Sequence, residues 1–166
     1  MHYVEVFSIW LKATPFSGAI LNYGWIWPTC EILHFIGMAF LIGIAGLLDL
    51  RILGLGKGIP IGLIHQLLPW GIGGFVINLI TGILFFSGDP FQYVHNIAFQ
   101  LKLLFIAVAG LNVLYFYGAG VLVKVEALGP EEDAPIDAKI VAGVSLAAWI
   151  AVMYMGRMLP FLGDAF

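Results

Sequence analysis

Few side chains in this sequence can do chemistry, and most of those lie inside long apolar stretches. Cys30, His34 and Met38 are spaced i, i+4, i+8, so a helix places them along one face. Two sulfurs and an imidazole are a donor set for Cu(I), and Met153, Met155 and Met158 offer further thioethers. His34 and His95 point to a second chemistry. Two imidazoles on different helices can take the axial positions of a b-type haem, each presenting a nitrogen lone pair to the iron from opposite sides, and the surroundings then set its potential. The propionates of such a group need cations or donors, for which Arg157, Lys102 and Trp27 are candidates. Glu31 and Lys102 offer a third arrangement, either a buried ion pair joining two helices or part of a quinone or proton site. His65 follows a Gly-Ile-Pro-Ile-Gly loop and reads as interfacial.

Other chemistries find no support. There is no phosphate-binding glycine loop, no HExxH and no recognisable Ser/His/Asp set. Cys30 is the single cysteine, which excludes an internal disulfide and a CxxC zinc site. The net charge of −3 with no basic patch argues against nucleic-acid binding. Met1 to Trp10 lack the basic start and small-residue cleavage site of a secretory leader.

The elements that must position these residues follow from composition. Hydrophobic residues make up 61% of the 166 and charged residues 10%, against about 45–50% apolar and about 25% charged in ordinary soluble domains. A water-soluble fold of this length cannot hide so much apolar surface, whereas lipid does not require it to. A spanning helix needs roughly 20 apolar residues, and the sequence offers four such runs. The first begins at Pro28, a favoured first-turn position, and reaches about Leu53. The second covers about Ile61 to Phe86, with a kink expected at Pro69. The third covers about Tyr93 to Leu122 and the fourth about Ala138 to Leu159. Residues 1–27 form an N-terminal segment, with an amphipathic helix over 3–13 at the membrane surface and a loop over 14–27. Residues 28–166 form the transmembrane domain.

Arg51, Lys57, Lys124 and Lys139 flank the loops after the first and third spans, and the connection between the second and third has no Lys or Arg. The positive-inside rule then puts both termini outside. With that topology Cys30, Glu31, His34, Met38, His95, Lys102 and Arg157 gather in one leaflet. Ionisable groups at membrane depth are costly and mark function. Gly37, Gly73 and Gly74 can open space for a porphyrin, with Phe35, Phe40, Phe75, Phe99 and Phe105 as its lining. Asn112 and Thr81 are expected to hydrogen-bond between helices.

The stretch Pro28-Thr29-Cys30-Glu31-Ile32-Leu33-His34, followed by Asp49-Leu50-Arg51-Ile52-Leu53-Gly54, resembles a family of small bacterial inner-membrane proteins of uncharacterised activity. Leu67-Leu68-Pro69-Trp70, Gly74-Phe75, Thr81-Gly82, Asn96 to Phe99, Lys102, Ala109-Gly110-Leu111-Asn112 and Gly156-Arg157 extend the likeness over about residues 25–160. In layout the chain is also similar to four-helix membrane cytochromes b and to the membrane domains of copper-resistance proteins. These resemblances imply a four-helix inner-membrane bundle. The expectation is an all-α bundle serving as an electron-transfer subunit with one haem b, in which His34 and His95 are axial and Lys102 and Arg157 hold the propionates. Copper binding through Cys30, His34 and Met38 is the alternative, and a cofactor-free structural subunit the third. The bilayer is the certain partner, and a quinone, a redox subunit or a second copy are candidates beyond it.

Overall fold

The computed structural model describes residues 2–129 and 131–162. Within them the chain is helical throughout: α1 (His2–Lys12), α2 (Pro15–Asn22), α3 (Ile26–Leu53), α4 (Ile61–Gly88), α5 (Pro90–Val94), α6 (Ile97–Gly118), α7 (Val121–Glu126) and α8 (Ile136–Met158). Four of these, α3, α4, α6 and α8, are long and apolar enough to cross a membrane. At 1.5 Å per residue, the 28 residues each of α3 and α4 exceed a hydrocarbon layer of about 30 Å. The 22 residues of α6 and 23 of α8 just match it. The four form an all-α membrane bundle. Their outer faces carry apolar side chains such as Phe35, Leu79, Leu114 and Ile150, which is what lipid contact requires.

Short local signals set the ends. Thr14 caps α2 by accepting from the Ser17 N–H at 3.2 Å, and Pro15 takes the first turn. The loop expected over 14–27 is therefore mostly helix, because the residues that looked like breakers are a helix start. Gly54 closes α3 at φ 104°, with Leu55 N–H reaching Leu50 O at 2.9 Å, the Schellman pattern that needs a residue in the left-handed region. The expected third span is cut into three pieces. Asn96 Oδ1 accepts from Ala98 N–H at 2.9 Å and starts α6 afresh, and Gly120 at φ 70° separates α6 from α7.

The helices pack as α3 on α4, α6 on α8 and α3 on α8, whereas α4 makes no extended contact with α6. Both ends of the described chain lie at the same end of the bundle. There Ser17 Oγ donates to Gly88 O at 3.4 Å and Lys12 pairs with Asp89 at 3.3 Å. Asn96 Nδ2 also donates to Leu159 O at 2.8 Å, tying the start of α6 to the end of α8. The opposite end is closed by α7, where Glu126 meets His65 of α4 at 3.3 Å, and by Asp133, which accepts from Lys57 at 2.9 Å and Lys139 at 3.1 Å. Those two ammonium groups hold the Asp133 carboxyl below the usual carboxylate range.

The α3–α4 seam rests on glycine. A Cβ on Gly74 would stand 2.6 Å from Gly37 O, and one on Gly37 would stand 2.8 Å from Gly74 O. Small residues let backbones of membrane helices meet this closely. Gly37 and Gly74 thus close the seam instead of opening room for a porphyrin, and the expected role of this pair is corrected accordingly. Gly73 has nothing within 4 Å of its Cβ direction. Gly74→Ala is expected to destabilise the protein by about 1–3 kcal/mol through overpacking, whereas Gly73→Ala stays within about 0.5 kcal/mol. Thermal unfolding of the two variants in the same detergent checks this, and equal effects would contradict the close crossing.

Candidate functional site

His34 sits about two turns into α3 and faces α4. Its Nδ1 lies 2.7 Å from Thr81 Oγ1, and its ring meets Phe85 edge-on at 5.6 Å. Phe85 is in turn packed on Trp27 at 5.0 Å. The carbonyl contacts of Thr81 favour one of the two tautomers. Thr81 Oγ1 has one hydrogen and lies 2.7 Å from Ile77 O, with Asn78 O at 3.2 Å. Donating that hydrogen to the carbonyl leaves the hydroxyl oxygen as an acceptor, so His34 Nδ1–H donates to Thr81. The lone pair then resides on Nε2. Metal-binding histidines are held by this kind of second hydrogen bond, which fixes tautomer and ring orientation together. Thr81 was expected to bond between helices, and it does so with His34.

Lys102 of α6 comes close to the same region. Its Nζ lies 3.5 Å from where a Cβ on Gly156 would be, so the glycine of α8 makes room for it. Its charge acts on His34. Among the described residues Lys102 has no carboxylate partner. The expected ion pair with Glu31 does not form, because Glu31 accepts from Trp27 Nε1–H at 3.1 Å, one helical turn away and exposed. Asp89 is engaged with Lys12. Arg157 follows Gly156 and is exposed, with its guanidinium 5.8 Å from the Phe161 ring. Two cations therefore stand at this end of α6 and α8 without an acid partner among the described residues.

The other expected site residues fall as follows. Cys30 is buried and Met38 half-buried on the α3 face that carries His34. His95 is exposed at the junction of α5 and α6, where it caps the end of α5. No ring contact or hydrogen bond joins it to His34. Next to it, Tyr93 packs edge-on against Phe99 at 5.3 Å, and Phe86 stacks on Phe99 at 5.9 Å. Burial, with Asp89 and Glu31 nearby, pushes the Tyr93 phenol up to about 12, so it keeps its proton at physiological pH. Among the described residues no group of three or more His, Cys, Asp or Glu side chains gathers to hold a metal ion. Phe35 and Phe40 face outward, with Phe40 stacking on Trp70 at 6.2 Å beside a groove it lines with Ala39, Ile44 and Leu67.

Asn112 Nδ2 of α6 donates to Val141 O of α8 at 3.0 Å, the interhelical bond expected of it. Sequence reasoning gave Asp49 no part in a site. It is 6% exposed and lies within the bundle. Its spacing from Ala45 and Leu41, i+4 and i+8, is the signal that would have placed it on the inward face.

Comparison of the chain with protein-family models, curated proteins and solved structures gives no match.

The His34–Thr81 bond is expected to carry about 0.5–1.5 kcal/mol of coupling, the range of interhelical bonds in membrane proteins. A double-mutant cycle with His34→Leu and Thr81→Val, read by thermal unfolding, measures it. Additive single effects would show that the two side chains do not interact.

Proposed function

We propose that the protein is a small membrane b-type cytochrome-like subunit of the bacterial inner membrane. In this reading His34 is the anchoring axial ligand, His95 the second, and Lys102 and Arg157 hold the propionates. The observation that carries it is the imidazole of His34, oriented by Thr81 with its Nε2 lone pair free, near an ammonium that lacks a carboxylate. An imidazole with a fixed lone pair suits a metal, and unpartnered cations suit an anionic group. Haem b combines both needs and supplies reversible one-electron chemistry when bound. Lys102 also weighs against the copper alternative at Cys30, His34 and Met38, because its charge repels a cation placed at the imidazole. The cofactor-free structural subunit leaves the two cations without a purpose.

The clustering of Arg51, Lys57, Lys124 and Lys139 toward the α7 end supports a topology with both termini periplasmic. The haem would then lie near the periplasmic face. One haem near one face needs a quinone, a redox subunit or a second copy of the chain to pass electrons on.

Visible absorption of the purified protein, oxidised and then dithionite-reduced, tests the proposal. A Soret band with sharp α and β bands on reduction is expected, lost in His34→Ala and in His95→Ala. Thr81→Val is expected to weaken haem retention about tenfold to a hundredfold, as losing a ligand's orienting partner does. A featureless spectrum from cells supplied with haem would sink the cytochrome reading, and stoichiometric copper in that sample would favour the alternative.

A further inference from the structure

A further interior space lies away from His34. It is a cavity of about 460 Å³ in which all four spans take part, lined by Leu48 and Asp49 of α3, Phe75 of α4, Asn112 of α6, and Ser145 and Trp149 of α8. No histidine, cysteine, lysine or arginine lines it. Its size falls in the range of about 300–1,000 Å³ usual for small-molecule sites, which pair apolar walls with a few placed polar groups.

One polar atom in this lining is left unmet. Ser145 lines the cavity alongside Asp49, and Asp49 Oδ2 is buried with no partner. Asn112 has one amide N–H committed to Val141 O, which leaves its Oδ1 and its second N–H to meet a ligand. The carbonyl partner fixes that orientation, since a flipped amide would set oxygen against oxygen. One buried carboxyl oxygen of the cavity, Asp49 Oδ2, is therefore left with no donor to meet it. A buried carboxyl oxygen without a partner costs about 1–3 kcal/mol or more, a cost that a ligand can remove.

The route in is lateral. Because α4 and α6 do not pack along their length, the rim residues Ile72 and Gly110 are exposed, and a Cβ on Gly110 would meet nothing within 4 Å. The Phe86–Phe99 stack bounds this gap at one end and the His65–Glu126 pair at the other. What passes between them comes from the hydrocarbon layer.

We propose that this cavity binds a lipid-soluble molecule with a hydrogen-bond-donating head, which enters between α4 and α6 and donates to Asp49 Oδ2 and Asn112 Oδ1. The donor is a phenolic hydroxyl, as in an alkylated hydroquinone, or the ammonium of an alkylamine. The site stands apart from His34 and does not depend on haem.

The test is modification of Asp49 by a lipophilic carbodiimide, which adds to buried carboxyl groups, followed by peptide mapping of the full-length protein in lipid nanodiscs. The probes are a decyl hydroquinone, its dimethyl ether, and dodecylamine. Labelling at Asp49 is expected, with protection of about tenfold by the hydroquinone or the amine, the effect of one buried hydrogen bond. Which of the two protects identifies the donor. The dimethyl ether, which has no O–H, is expected to leave labelling unchanged. Gly110→Trp, which fills the gap and leaves Asp49 intact, is expected to slow labelling by a similar factor. Absence of label at Asp49, protection by neither donor, or equal protection by the ether would overturn the proposal.

Discussion

Lipid offers no hydrogen bonds, so every polar group carried into the bundle has to be met by the protein itself. The structure is arranged around that constraint. His34 meets Thr81, Asn112 meets the Val141 carbonyl, Asn96 meets both Ala98 and Leu159, and Ser17 meets the Gly88 carbonyl. Each of these bonds except Asn96 to Ala98 joins two different helices, so the satisfaction of polar atoms also fixes how the helices sit together. Two of the groups left unpartnered are informative for the same reason. Among the described residues Lys102 lacks an acid, and Asp49 Oδ2 lacks any partner. Each marks a place where the protein's own groups are not sufficient.

The Gly37–Gly74 crossing divides these two places. It brings the α3 and α4 backbones together midway along both helices, leaving no room for a ligand there. Toward the end where the described chain begins and finishes, α3 carries the His34 imidazole, and α6 and α8 carry the cations Lys102 and Arg157. Toward the α7 end, α4 and α6 stay apart and the cavity opens on Asp49. On the readings proposed above, one end would take an anionic group with a metal, the other a lipid-borne molecule with a hydrogen to donate. Gly156 lies beside Lys102, where an added Cβ would make ordinary contact with the ammonium.

The four spans were legible because each is an apolar run long enough to cross a bilayer, and nothing else in the composition competes with that reading. Helix starts were less so. Thr14-Pro15 and Asn96 are caps as well as loop formers, and only the following hydrogen bonds separate the two uses. In the site, the face shared by Cys30, His34 and Met38 follows from helical spacing. The partners of these residues do not, because spacing within α3 says nothing about its rotation against α4. That rotation brings Thr81 to His34 and turns Glu31 away from Lys102. It also decides that Gly37 meets Gly74 while Gly73 faces away. Asp49 was missed because proximity to a span's end suggests solvent, whereas the face it shares with Ala45 turns it inward.

The claim on which the rest of the functional reading depends is that Thr81 fixes the His34 imidazole with its proton on Nδ1 and its lone pair on Nε2. Nitrogen-15 NMR of histidine-labelled, cofactor-free protein at neutral pH, with His34 assigned by its loss in His34→Leu, reads the tautomer directly. The account expects a protonated Nδ1 and a bare Nε2 at His34, with that preference relaxed in Thr81→Val. A protonated Nε2, or a tautomer mixture unchanged by Thr81→Val, would contradict it.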